Sequence, residues 1–331
     1  MPSAASTSAA SALARVRRTV AAAACAALAA CAYSPARIAS ADRIAAAVGA
    51  LELGGRAAVL VGAGDIARCD EPQGARATAE IVAAVVAAAP DAIVFTAGDH
   101  AYEHGSALQF RECYDPLWGR FNARTFPTPG NHDYETAGAV PYFDYFDVFD
   151  VRPEARPTGY YSFDAGGWLV VALNSMLRIE PGAVQVRWLE RTLAEAAGRC
   201  ILAFWHHPLA SSGFHGFMPW DPGRDTAIFW ERLARHGGDV VVNGHDHLYE
   251  RFAPRDAEGR AAAGGMRQFT VGTGGGGLHP IIWRRRDSVF ATDETYGVLV
   301  LMLEPTSYEW AFIGADGIVH DRSDGPVACA G

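Results

Sequence analysis

The chain alternates short apolar runs with amphipathic stretches. Ala57–Val61, Ala92–Thr96, Ile201–Trp205 and Asp239–Val242 are too short for helices and are bounded by glycine, proline or polar residues. That is the pattern of strands buried on both faces. Between them, Arg76–Ala89, Val184–Ala197 and Ala227–His236 have helical composition, the first ending at Pro90. This β-α-β alternation implies parallel pairing, with loops gathered at the carboxyl ends of the strands. Gly159–Phe163 and Trp168–Leu173 read as a hairpin around Asp164–Gly167, and Tyr142–Phe149 as a helix or helical turn on the rim. Gln268–Val271, Val298–Leu303 and Tyr308–Ile313 read as antiparallel strands, and Ile38–Leu51 as a short helix within a linker. No internal repeat and no second folded domain is expected.

Composition narrows the chemistry. Half of the 331 residues are hydrophobic and 20% are charged, as in a folded globular protein. The formal charge of −9, with no long basic run in the body, argues against nucleic-acid backbone binding. The chain has no lysine at all, which removes a P-loop lysine, a Schiff base and a Ser-Lys dyad. Any catalytic electrostatics must come from metal, Arg or His. Arg15, Arg17 and Arg18 precede an uncharged run, Thr19–Ala30, too short to span a bilayer and shaped like an export signal. Leu28-Ala29-Ala30-Cys31 resembles a lipobox. The expected layout is a lipoprotein-type signal over residues 1–31, a linker over 32–55, a catalytic domain over 56–325 and a tail over 326–331. Membrane attachment would come only through a lipid on Cys31, and the protein would be exported to the cell envelope, periplasm or medium.

Five loops at the ends of extended runs carry possible metal ligands. They are Gly64-Asp65, Gly98-Asp99-His100-Ala101-Tyr102, Gly130-Asn131-His132-Asp133, His206-His207-Pro208 and Gly244-His245-Asp246-His247. Each alone could be a turn or a helix cap. Together at strand ends, they point to one metal site. Gly272–Gly277 matches G-x-G-x-x-G, but His279-Pro280 follows instead of a helix, so a loop bordering the cleft is expected. No Gly-x-Ser-x-Gly elbow exists, which sets aside a serine hydrolase. Arg284-Arg285-Arg286 reads as a solvated turn.

In order and content these motifs resemble the calcineurin-like metallophosphoesterases, and within them the purple acid phosphatases. The resemblance runs over about Val59–Leu248, with Tyr249-Glu250-Arg251 beyond it. Where most of the superfamily has Asp-x-His in the first motif, here Ile66-Ala67 follow Asp65, and Tyr102 takes the place of the missing imidazole. The resemblance implies an α/β fold, a four-layer α/β/β/α sandwich of two mixed sheets. It implies a binuclear centre, with Fe(III) held by Asp65, Asp99, Tyr102 and His247. A second ion, Zn(II), Fe(II) or Mn(II), would take Asp99 as bridge with Asn131, His206 and His245. Hard oxygen donors suit the trivalent ion and imidazoles the divalent one.

The implied reaction is hydrolysis of phosphate monoesters by a metal-bound hydroxide, with His132 beside the leaving oxygen and His215 binding substrate. His100 and His207 would support the ligands from behind. The substrate would be a small phosphorylated molecule. Diester hydrolysis of nucleotides or phospholipid head groups is the alternative reaction, and phospho-ligand binding without turnover the non-catalytic one. Outside the leader, Cys69, Cys113, Cys200 and Cys329 allow three disulfide pairings. The sequence does not choose among them; Cys69 with Cys113 and Cys200 with Cys329 is the preferred pattern, because the first two follow strand ends that would share a metal.

Overall fold

The computed structural model describes residues 38–147, 158–196, 198–218 and 225–330, and the expected leader with Cys31 lies outside them. Among the described residues the apolar runs become strands of two seven-stranded sheets. In the first, β1 (Ala58–Ala63), β3 (Ile93–Ala97) and β5 (Thr125–Thr128) run parallel at one side. β13 (Gly297–Glu304), β14 (Ser307–Gly314), β15 (Val319–Arg322) and β16 (Val327–Ala328) add antiparallel, β13 beside β1. The second sheet has the order β12 (Ser288–Thr292), β10 (Tyr249–Phe252), β11 (Arg267–Val271), β9 (Val240–Asn243), β8 (Ile201–Phe204), β7 (Trp168–Ala172), β6 (Tyr161–Ala165). A two-residue ladder joins β2 (Ala67–Arg68) to β4 (Ala101–Tyr102).

Alternation along the second sheet sets the layers. Val170, Ala172, Leu202, Phe204, Val240 and Val242 join the core shared with the first sheet. Their neighbours Leu169, Val171, Ile201, Ala203 and Val241 face the other way. There they meet Leu189 and Leu193 of α5 (Val184–Glu195), and Phe229, Trp230 and Leu233 of α6 (Ala227–Arg235). On the first sheet, α1 (Ala41–Gly49) packs against α2 (Gln73–Ala88), which contacts β1 and β13. The result is the expected helix–sheet–sheet–helix sandwich. Aromatic rings bridge the sheets: Phe95 to Phe204 at 5.8 Å, Phe269 to Trp310 at 5.6 Å, and Tyr249 stacked on Phe312 at 4.0 Å. Full burial of a side chain of this size contributes about 1.5–3 kcal/mol.

Several expectations need correction. The short helix expected within residues 38–51 is α1, and it is packed in rather than exposed: its Ile44 and Val48, with Leu51 and Leu53, lie in the main core. The tail is likewise stitched in: Val327 pairs with Tyr308 and Cys329 bonds Cys200. β11 is antiparallel only to β10 and runs parallel to β9 on its other side. Cys69 pairs with Cys113, the preferred disulfide pattern. Bonds of this kind belong to oxidising compartments. Among the described residues no helix is long and apolar enough to cross a membrane.

Candidate metal centre

Three of the strand-end loops carry, directly after their first glycine, a non-glycine residue in the left-handed region. Asp65 (φ 61°), Asp99 (φ 55°) and His245 (φ 72°) stand just beyond β1, β3 and β9. Such backbone costs about 1 kcal/mol or more per residue and concentrates at functional sites. Glycine is needed beside them for close approach. A Cβ on Gly130 would lie 2.2 Å from Asp99 Oδ1, and one on Gly244 2.5 Å from Asp65 Oδ2. Backbone amides then aim the carboxylates: His132 N–H donates to Asp99 Oδ1 (2.8 Å) and His245 N–H to Asp65 Oδ2 (2.8 Å).

The other carboxylate oxygens face inward. Tyr102 Oη lies 2.9 Å from Asp65 Oδ1, 3.1 Å from Asp99 Oδ2 and 3.0 Å from His247 Nε2. One phenolic hydrogen therefore faces two carboxylate oxygens and an imidazole nitrogen, and can serve one of them well. All four side chains are buried. Beside them, His206 Nδ1–H donates to the Ala97 carbonyl (2.8 Å), which can only accept. Its Nε2 is left facing Asn131 Oδ1 at 2.9 Å, Asp99 Oδ2 at 3.3 Å and His245 Nδ1 at 3.2 Å. Both groups hold more lone pairs than protons, the donor set of a cation site. Asp99 belongs to both. Asp65, Asp99 and His206 each offer a ligand atom within 4.8 Å of the others.

The protein's own charges carry the same message. Burial works to raise the Asp65 and Asp99 carboxyls, but the imidazoles beside them outweigh it, His247 for Asp65 and His206 for Asp99, holding both below the ordinary carboxylate range. Burial would lower His206, but the Asp99 charge prevails and pushes it up to about 10. Burial, then Asp65 and Asp99, hold the Tyr102 phenol well above its ordinary value. A cation among these oxygens reverses that logic, since a metal favours deprotonated ligands.

Supporting residues lock the ligands. Buried Asp133, on the short helix α3 (Asn131–Glu135), accepts from Gly130 N (2.9 Å), Asp99 N (3.0 Å) and His100 N (3.2 Å). His100 Nδ1 donates to it at 3.0 Å, and the ring's Nε2 meets Thr96 Oγ1 at 2.7 Å. His100 is thus a brace behind the second motif. His207 Nδ1 meets Ser175 Oγ at 2.8 Å while its ring lies 4.3 Å from that of His245. His132 packs its ring 4.6 Å from Tyr102, with Nδ1 2.5 Å from the Glu103 carbonyl. His215 stands over His245 at 3.9 Å.

All seven expected ligands and both other expected site residues, His132 and His215, come together here. The glycine-rich stretch after β11 borders them, with Gly276 N–H donating to Asp65 O at 2.7 Å. Three residues of the site were not singled out from the sequence. His279 stacks on His247 at 4.0 Å and 7°, Asp133 looked like a cap, and Ser175 lies in a featureless loop. The motif Asn-His-Asp could have flagged Asp133, whereas His279 is placed only by tertiary structure.

A family model described as calcineurin-like phosphoesterase matches residues 59–249. Purple acid phosphatase 15 of Arabidopsis thaliana is 31% identical over 156 residues, 42% of this chain and 29% of that protein. The chain spans well under half the length of the curated relatives it matches first. Among solved structures, purple acid phosphatase PPD1 from yellow lupin (Lupinus luteus) seeds superposes with a TM-score of 0.63 at 19% identity, covering 80% of this chain and 53% of that one. GAP50, the anchor in the inner membrane complex of Plasmodium, gives 0.62 at 13% identity, covering 82% and 89%. At such identities the structural likeness shows the fold alone.

Proposed function

Because this chain belongs to the calcineurin-like phosphoesterase family and is similar to purple acid phosphatases, we propose that it hydrolyses phosphate monoesters at a binuclear metal centre. Asp65, Asp99, Tyr102 and His247 would hold Fe(III), their three oxygens suiting a hard ion. Asp99, Asn131, His206 and His245 would hold the second ion, Zn(II), Fe(II) or Mn(II). When bound, the pair supplies positive charge for the phosphate and an activated water as nucleophile. The observation that carries this reading is the single Tyr102 phenol set between two buried carboxylates and beside an imidazole nitrogen, an arrangement that a cation relieves.

The chain's own residues do the rest. His132 keeps one proton at Nδ1 on the Glu103 carbonyl; as the imidazolium it would give the second, at Nε2, to the leaving alkoxide as the P–O bond breaks, and return to the neutral ring. Asp133 fixes the loops that carry Asp99 and Asn131, and so holds the bridging carboxylate in register with the amide. His215, at the mouth, meets the phosphate end of the substrate. With no lysine in the chain, His132 and His215 supply the protein's own groups for this task.

The test is turnover of p-nitrophenyl phosphate against its bis ester. Faster monoester cleavage, abolished in Asn131→Ala, supports the reading. Preference for the bis ester would convert the assignment to a diesterase, and no turnover of either would leave a phospho-ligand-binding protein.

A further inference from the structure

The turn Gly244–His247 sends its side chains to two sides. His245 and His247 face the central cluster, and Asp246 between them does not. Asp246 is fully buried. Its Oδ1 accepts from His215 N–H at 3.3 Å, but its Oδ2 has no hydrogen-bond donor. A buried carboxylate oxygen without a partner is rare and calls for positive charge. The surrounding loop is shaped to close on this carboxylate, since a Cβ on Gly213 would lie 2.5 Å from its Oδ1.

Two rim imidazoles converge on it. His215 is held over His245, and His279 lies flat on His247 with its backbone N–H donated to the His247 carbonyl at 2.9 Å. The ring centroids of His215 and His279 are 6.4 Å apart. One ligand atom each from His215, Asp246 and His279 lies within 4.8 Å of the other two. The loop of His215 is itself anchored. Ser212 donates its N–H to buried Glu250 at 2.8 Å, and its carbonyl accepts from Ile282 and Trp283 of the segment after His279. Both rim histidines thus sit on segments tied together at one residue.

We propose that His215, Asp246 and His279 bind a third divalent ion of the zinc class at the mouth of the cleft, separate from the central pair. Two imidazoles and a carboxylate are an established zinc donor set, and three protein ligands leave a position open. His215 and His279 are only half-buried, so that position faces the cleft. It would take water or an anionic oxygen of the substrate, and His215 would then meet the phosphate through the ion it holds.

The test is zinc content of the full chain after dialysis against zinc, for wild type, His279→Phe and Asp99→Asn. Phe keeps a ring to stack on His247 but removes the ligand nitrogen. Loss of one zinc per chain in His279→Phe, with an unchanged far-UV spectrum, supports the site. Wild-type zinc content in that variant overturns it. Asp99→Asn reports on the central pair separately: if it loses no zinc, the central assignment fails while the rim site still stands or falls on His279→Phe. His279→Gln repeats the measurement without relying on the stacked ring.

Discussion

Asp133→Ala is the substitution that ties stability to activity most closely. The carboxylate is fully buried and accepts four hydrogen bonds, three of them at Oδ2, from Gly130 N, Asp99 N and His100 Nδ1. Hydrogen bonds to a charged group contribute about 1.5–3 kcal/mol each but do not add when they share an acceptor. Removing one side of such a buried network costs roughly 3–5 kcal/mol, and about 4 is a fair centre. Unfolding entropy near 2.1 cal/mol/K per residue over roughly 280 ordered residues gives about 0.6 kcal/mol/K, so Tm should fall by roughly 7 °C. Displacing Asp99 and Asn131 together should also lower kcat/KM by about 100-fold, the usual effect of an ångström of misplacement. Asp133→Asn, which can keep the three-donor oxygen in place, should lose about half as much stability. Thermal melts and steady-state kinetics on both variants decide it. A Tm change under 2 °C for the alanine variant, or equal damage in both variants, would refute the bracing role.

Other outcomes follow from the same geometry. Cys200→Ser should cost stability without altering activity, because Cys200 stands just before β8, at the end opposite His206, and its bond to Cys329 closes a loop of 129 residues. The chain-entropy relation puts the loss near 5 kcal/mol, read by urea denaturation of reduced and oxidised protein. Chelation should lower Tm, since ions bound at about 1,000-fold above Kd stabilise the folded state by about 4 kcal/mol, and adding back metal should restore it. Asp321→Ala should destabilise by about 3 kcal/mol, because Tyr249 Oη, Trp310 Nε1 and two guanidinium nitrogens of Arg251 converge on that carboxylate. A melt within 1 °C of wild type would show that this cluster contributes little.

The candidate site was legible because its ligands sit where an apolar run stops. Strand ends at Ala63, Ala97, Phe204 and Asn243 are set by local pattern, and parallel pairing gathers their loops. What local pattern cannot encode is which distant strands become neighbours. Tyr249-Glu250-Arg251 read only as a family mark. In the fold it is strand β10, with Tyr249 and Arg251 reaching Asp321 on one side and Glu250 reaching Ser212 on the other. β11 inserts between β9 and β10, consecutive strands in the chain, and so acquires one parallel and one antiparallel partner. The segment before β1 read as a linker because its alanines carry little hydrophobic signal. Ile44 and Val48, one turn apart on α1, are enough to dock it. His279 lies in a loop with no periodicity, and only the return of the glycine-rich stretch past Asp65 and Tyr102 lays it on His247.

If Tyr102, Asp65 and Asp99 share a cation, Tyr102 would bind it as the phenolate. The visible spectrum of the purified protein, read together with its metal content for wild type and Tyr102→Phe, tests this. A violet protein containing iron is expected, its phenolate-to-Fe(III) absorption lost in Tyr102→Phe while most of the iron remains. A colourless wild-type protein without iron, or a colour unchanged by the substitution, would contradict it.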